Sequence, residues 1–320
     1  MTYEMNYDIT IGDYRLNALN EVKIKRSIDA LSDTAVITLP ARLHNRTLKL
    51  EGRIKVSDPV KIRLGYGNDL RTEFEGYVDK IGTDEGNLTV ECLDRLRKFK
   101  ETSLSDKVFK DVTVKALLGE VIQACDKEMK LECDYDTKYD KFTFYNASGY
   151  DVLKKVQDDF KANVYVADGV LHVHPPYAQV ASDEEVRFDF SRNIESANLK
   201  YRKAEDEKVQ VELTYKDKNG KEQKVKFGTE GGTKKSFKSP TSDTKEIDRL
   251  GKQIVGMYSY DGYEGSFTGW LIPYVAPTAK VRLHDVEYPE KDGTYYVTGT
   301  EVEFSSSGGK RTVSLGRRLV

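Results

Sequence analysis

The sequence predicts a mainly β protein in which two related small β-barrel units flank a central α+β unit. Two-residue apolar alternation fills residues 8–96 and returns from about 186 to the end. Apolar residues at helical spacing are confined to the middle of the chain and to one segment near 244–258. The two β stretches also share one order of strands, turn and strand. The expected division is 1–103 and 181–320 for the β units and 104–180 for the α+β unit.

In the first β stretch, "EVKIKRSI" and "DTAVITLP" read as strands stopped by Pro40. In "DPVKIRLGYG", Val60, Ile62 and Leu64 point one way and Lys61 and Arg63 the other. "TEFEGYVDKIG" and "LTVECLDRL" form a hairpin about the turn "TDEGN". The pattern changes near residue 104. Val114, Leu117, Leu118, Val121, Ile122 and Cys125 fall at helical spacing, with Asp111 or Thr113 as N-cap. Val152, Leu153, Val156 and Phe160 mark a second helix, and Asp168-Gly169 joins two short strands as a tight hairpin. Pro175-Pro176 closes this unit.

In the last stretch, Val209, Val211, Leu213 and Tyr215 alternate with polar residues, and Asn219-Gly220 supplies a turn. "GTEGGTKKSFKSPTSD" reads as an exposed loop. Ile247, Leu250, Ile254 and Met257 form one helical stripe behind an Asp243 cap, and β structure runs from Phe267 to the end.

The two β stretches align without a gap from 60 to 78. Val60, Lys61, Ile62, Arg63 and Leu64 fall on Ala279, Lys280, Val281, Arg282 and Leu283, and Tyr77-Val78 falls on Tyr296-Val297. Beyond a longer second turn, Thr89-Val90 falls on Thr312-Val313 and Arg95-Leu96 on Arg318-Leu319. Upstream, "VITLP" ending at Pro40 resembles "GWLIP" ending at Pro273. The apolar phase changes from Tyr295/Val297 to Val302/Phe304 across Gly299, which predicts a β-bulge there.

Composition excludes several classes. With 51 basic and 53 acidic residues the net charge is −2, so no strong electrostatic pull toward nucleic acid or lipid is expected. No apolar run reaches the roughly 18 residues that would span a bilayer, so no membrane insertion is expected. "MTYEMNYDIT" lacks a signal-peptide pattern, and Cys92, Cys125 and Cys133 form no CxxC pair. The expectation is a protein synthesised and folded in the cytoplasm.

Chemical motifs are sparse. His172 and His174 share a strand face but lack an obvious third metal ligand; His44 and His284 stand apart. No phosphate-binding, dinucleotide, zinc-protease or nucleophile-elbow motif occurs. No catalytic residue, metal or cofactor is expected. One aromatic cluster, "YSYDGYEGSFTGW", holds Tyr258, Tyr260, Tyr263 and Trp270. It would suit either core packing or a carbohydrate-binding or adhesin-like contact surface.

Taken together, "AVITLP", "DPVKIRLGYG", "EFEGYVDKI" and "LTVECLDRL" resemble the first tube domain of phage baseplate hub proteins of the late control gene D family. The hub part of VgrG in type VI secretion is similar. "VFKDVTVKALLGEVIQAC" and "FTFYNASGYDVLKKVQDDFKANVYVADGVLHVHP" resemble the family's middle segment. "GSFTGWLIPYVAPTAKVRLHD" and "DGTYYVTGTEVEFSSSGGKRTVSLGRRL" resemble its second tube domain.

The resemblance implies a non-enzymatic homotrimer. Its six similar β units would match a sixfold tail tube on one side and a threefold spike on the other. Tail-tube and spike proteins would be its partners, and DNA would pass a central channel without sequence-specific binding. Lys61, Arg63, Lys280 and Arg282 would lie on a subunit or lumen surface. With the chain ending at Val320, the spike and any cell-wall hydrolase are expected to be separate proteins.

Overall fold

The structure, a computed structural model, describes residues 4–40, 42–43, 46–47, 53–84, 87–182, 184–217 and 219–319. His44 and part of the expected 83–87 turn lie outside these residues. The first β stretch forms β1 (Met5–Ile11), β2 (Tyr14–Arg15), β3 (Glu21–Ser27) and β4 (Thr34–Pro40). A small ladder follows, β5 (Arg42–Leu43) with β6 (Arg46–Thr47), and then β7 (Pro59–Tyr66), β8 (Asp69–Asp84) and β9 (Asn87–Leu93).

The middle holds α1 (Arg97–Glu101), β10 (Lys107–Thr113), α2 (Val114–Cys125), β11 (Lys130–Cys133), β12 (Lys138–Phe144), α3 (Gly149–Phe160), β13 (Asn163–Ala167) and β14 (Val170–His174). The last part holds β15 (Glu185–Asp189), β16 (Ser196–Arg202), β17 (Val209–Lys216), β18 (Glu222–Gly228) and β19 (Thr233–Lys238). It ends with α4 (Thr244–Tyr258), β20 (Gly262–Trp270), β21 (Lys280–His284), β22 (Gly293–Ser305) and β23 (Gly308–Arg318).

Strands from both ends of the chain build one 13-stranded sheet. Its first half runs β3-β4-β9-β8-β7-β1; its second half runs β16-β20-β23-β22, with β21 and then β15 beside β22. The order is the same in both, so the repeat seen in sequence is a repeat of topology. The halves differ at one edge, because β1 is antiparallel to β7 whereas β15 is parallel to β21. β22 joins them. Its start, Gly293–Tyr296, pairs with β21, and Gly299–Ser305 pairs with β3 of the first half.

The register of β22 on β23 shifts between Val297 and Gly299, which is the expected bulge. The matching strand β8 shifts at the matching place, between Val78 and Lys80. The expected barrels do not close. β2 and β16 end the sheet, and among the described residues neither has a second neighbouring strand. Closing the first half would require β3 to meet β1, and closing the second would require β16 to meet β15; neither pairing occurs among the described residues, and β3 pairs with β22 instead.

The ladders also correct the alignment. Val60 lies opposite Gly76, and Val281 lies opposite Tyr295. Since Gly76 corresponds to Tyr295, Val60 corresponds to Val281 and Lys61 to Arg282, a slip of two residues from the ungapped match. Thr38 faces Thr89 and Thr268 faces Thr312, so Pro40 corresponds to Trp270 rather than Pro273. A two-residue slip leaves every side chain on its proper face, so alternation alone does not detect it.

Four hydrophobic cores form. One lies under the first half-sheet around Ile9, Ile24, Ile37, Ile62 and Val90, and it takes in Leu271, Val302 and Phe304 from the second half. A second, around Phe267, Val281, Tyr295 and Val313, lies under the other half. The central unit packs α2 and α3 through Leu117, Val121, Leu153 and Phe160. Residues 209–254 make a fourth core, where α4 presents Ile247, Leu250 and Ile254 to Val211 and Leu213 of β17. The last β unit expected over 181–320 therefore contains two cores.

Local signals explain the helix starts. Thr113 caps α2 by accepting from the Ala116 N–H at 3.1 Å. Asp243 caps α4 through the Lys245 N–H at 2.9 Å. Ser148 and Asp151 form a reciprocal capping box on α3. Asp168 and Gly169 both have positive φ, as the expected hairpin requires.

The expected loop at 228–243 is different: it contains β19, which lies parallel to β17 from Val209↔Thr233 to Thr214↔Lys238. Lys234 and Lys238 face outward, Lys235 lies over the Tyr258 ring and Phe237 packs inward, but the partner strand is distant in sequence and the composition is polar. β10 was likewise hidden, in polar "KVFKDVT" ahead of the helix.

A buried ion pair ties the halves together. Arg311 on β23 donates to Glu73 on β8 at 2.6 and 3.1 Å, and both side chains are almost wholly buried. Arg311 also donates to the Val275 carbonyl at 3.2 Å, and its guanidinium lies 4.9 Å from the Tyr274 ring centroid. Beside it, Arg26 bridges Asp33 at 3.1 Å and the Tyr274 hydroxyl at 3.2 Å.

Two stability measurements follow. Ser148→Ala should lower unfolding stability by about 1 kcal/mol in chemical denaturation. Arg311→Ala should cost about 3–5 kcal/mol because it strands a buried carboxylate, while Glu73→Leu with Arg311→Met should recover most of that loss.

Candidate functional surface

The molecule carries several clefts. One, of about 400 Å³, is lined by Arg26, Asp33, Glu73, Asp94, Arg95 and Tyr274. Most of its carboxylates are committed. Asp33 binds Arg26, Glu73 binds Arg311, and Asp94 accepts the backbone N–H groups of Asp33 at 2.8 Å and Leu96 at 2.9 Å. Burial, and then the charge of Asp33, push Asp94 up to about 7. A carboxyl with this affinity for a proton could serve acid–base chemistry. Here both its oxygens are held by backbone, so it braces the turn into α1.

His172 and His174 do share one face of β14. His174 is buried, and its Nε2 lies 3.0 Å from the Tyr165 hydroxyl. His172 Nδ1 lies 3.2 Å from Glu132. No group of three metal-ligating side chains exists among the described residues. The pair lies on β14, the middle strand of the three-stranded sheet β11-β14-β13.

The larger feature is the outer face of the shared sheet. Lys61 bridges Glu75 at 2.6 Å, and Arg63 contacts Asp8 at 3.3 Å. Lys280 and Arg282 stand on the corresponding face of β21, since Val281 and Leu283 between them face the core. At the junction Lys25 meets Glu301 at 3.0 Å and Lys23 meets Glu303 at 3.9 Å. Lys80 and Glu91 pair at 3.7 Å. The face is polar and its charges alternate in sign. The four basic residues thus share a face across two half-sheets, although they do not converge on one point. "VKIK" in β3 and "EVEF" in β22 held this complementarity in the sequence, but it is visible only once the strands are paired.

Two residues of the aromatic cluster are buried. Tyr263 is packed in the second core, with its ring 4.9 Å from that of Tyr295. Tyr260 is buried under the Arg202 guanidinium, 5.0 Å from the ring centroid. Trp270 alone is half-exposed. Strand alternation in β20 sends Tyr263 inward, and the edge position of Trp270 leaves it out.

Sequence reasoning missed two features of the surface. One is the Glu73–Arg311 junction, which had no local signal. The other is the pair of bare strand edges at β16 and at the end of β8, which the alternation of the strands could not mark as edges.

No family model and no curated protein matches the chain. Solved structures do. The tail protein from Neisseria meningitidis MC58 superposes with a TM-score of 0.72 at 14% identity, over 98% of this chain and 96% of its own. The 43 kDa tail protein of prophage MuSo2 from Shewanella oneidensis gives 0.66 at 14% identity over 98% of each chain. An E. coli component of the type VI secretion system, itself similar to the T4 tail proteins gp27 and gp5, gives 0.58 at 7% identity. It is matched over 98% of this chain and 77% of its own. The chain therefore has the hub-like fold of phage tail proteins, the fold that the sequence resemblance named.

A pH experiment tests the histidine pair. Burial, and then His172, hold His174 down at about 4 against an ordinary 6.5. The unfolded chain then binds more protons between those values, so stability is full above about 6.5 and falls as pH drops toward 4. Denaturant titrations should show a shallower acid loss in His174→Gln than in the native chain.

Proposed function

We propose that this chain is the structural hub of a contractile phage or prophage tail, or of a related injection system. Three copies would form a pseudo-sixfold ring that joins the tail tube to a spike and leaves a central channel. One observation carries the reading: the same strand order, β3-β4-β9-β8-β7-β1 and β16-β20-β23-β22-β21-β15, occurs twice in one sheet. A chain with two equivalent halves supplies six similar units from three copies, which reconciles a sixfold tube with a threefold spike.

The tail and secretion proteins that share the fold support this reading. So does a surface whose carboxylates serve structure. In this assignment 1–103 and 181–320 are the tube domains and 104–180 is the central domain. The role is non-enzymatic, and the protein joins a tail or injection apparatus after folding. Lys61, Arg63, Lys280 and Arg282 lie on the polar face, which is the candidate lumen wall. Balanced cross-strand ion pairs on that wall would let DNA or protein cargo slide without specific capture. A carbohydrate-binding role is less favoured, because Tyr260 and Tyr263 are buried.

Light scattering tests the ring. The chain, concentrated and mixed with its spike partner, is expected to give a three-copy mass. A one-copy mass under both conditions would overturn the proposal.

A further inference from the structure

The contact that joins the two halves within one chain has a counterpart that no described strand covers. Up to their bulges, β8 and β22 are covered alike. Val78 exchanges bonds with Ser57 and Asp58 at 2.9 Å, as Val297 does with Thr278 and Ala279 at 2.8 and 3.0 Å. Beyond the bulge, β22 is covered by β3. The corresponding stretch of β8, Lys80–Asp84, pairs with β9 on one side and with no described strand on the other. At the far end of the sheet, β16 occupies the place in the second half that β3 occupies in the first, and no described strand covers its outer edge.

Burial is consistent with both edges lacking a cover among the described residues. Val22 and Ile24 of β3 are fully buried beneath Val302 and Phe304. Their counterparts on β16 are Ala197, which is exposed, and Leu199, which is half-buried. On the other strand, Thr300 and Val302 are buried, whereas their counterparts Ile81 and Thr83 are half-buried and exposed. Two bare edges with partly exposed apolar side chains are an unstable ending for a sheet unless they meet a partner.

We propose that the bare end of β8 in one copy pairs with β16 of a second copy, antiparallel and in the register of β22 on β3. This rests on the ring proposed above and specifies its joint. Carrying Gly299↔Ser27 and Glu301↔Lys25 over to the equivalent positions places Lys80 opposite Arg202, Gly82 opposite Lys200, and Asp84 opposite Asn198. Ile81 then faces Tyr201 and Thr83 faces Leu199 on the core side. The contact is heterologous, head to tail, and so closes into a ring when the rotation permits.

The joint between copies lacks one component of the joint within the chain. Glu73 and Arg311 correspond to Asp292 and Leu88, so no buried ion pair can form there. Asp292 is instead held by His284 at 2.7 Å. The inter-chain joint is therefore the separable one, and the joint within the chain is the permanent one.

Cysteine cross-linking reads the register directly. Residues opposite each other on antiparallel strands lie roughly 4.5–5.5 Å apart at Cα, within the span of a disulfide. Among the described residues, a Cβ at Gly82 meets nothing within 4 Å, and Lys200 is exposed, so both positions should accept cysteine. Gly82→Cys with Lys200→Cys should give chain-to-chain bands on oxidation under assembling conditions, removed by reductant. Gly82→Cys with Asn198→Cys, two residues out of register, should give far fewer, and each single variant controls for the native thiols. A three-copy mass with no 82–200 link, or with the 82–198 link dominant, overturns this joint and leaves the ring standing. A one-copy mass for the native chain with its spike partner overturns the ring and the joint together.

Discussion

The structure depends on one backbone ladder, between Gly299–Ser305 of β22 and Glu21–Ser27 of β3. It makes one sheet from segments nearly 280 residues apart in the chain. The bulge at Val297/Gly299 is what allows it. Before the bulge β22 belongs to its own half; after it, the strand turns its free side to β3. The approach is close. A Cβ on Gly299 would sit 3.0 Å from the Arg26 carbonyl oxygen, so a larger residue would push the strands apart. The ladder also draws Val302 and Phe304 into the first core, so that core is complete only when both ends of the chain are present.

The buried Glu73–Arg311 pair reinforces this joint from the side. Desolvating two charges is costly, and the pair is tolerated because backbone carbonyls and the Tyr274 ring share the guanidinium. Its benefit is orientation: two half-sheets tied by a ladder alone could twist, while a bidentate pair fixes their angle. That rigidity suits the ring subunit proposed above. The separate helix-backed core at 209–254 and the central unit hang from this frame without interrupting it.

Much of the fold was legible in the residues. Thr113 and Asp243 announced their helices because capping is a short-range interaction between a side chain and the next turn. Asp168-Gly169 announced its hairpin through backbone conformations that few residues adopt. The phase change across Gly299 announced the bulge. β19 was not legible, because its lysines resemble a loop and its partner β17 lies beyond a hairpin. Of the candidate surface, the facing of Lys61, Arg63, Lys280 and Arg282 was readable from alternation. The burial of Tyr260 and Tyr263 was not, since aromatic residues serve cores and contact surfaces equally.

The sequence by itself determined most of the strands and helices, which faces they bury, and that one β pattern occurs twice. These follow from periodicity and from caps and turns, all of which act within a few residues. Only the tertiary structure decided how the two copies align and where they join. A slip of two residues preserves every inward and outward face, so alternation is blind to it, and the ladders moved Lys61 from Lys280 onto Arg282. The choice of β3 as the partner of β22, and the bare edges left at β8 and β16, depend on backbone hydrogen bonds between distant segments. Those bonds use groups that every residue carries, so no side-chain pattern records them.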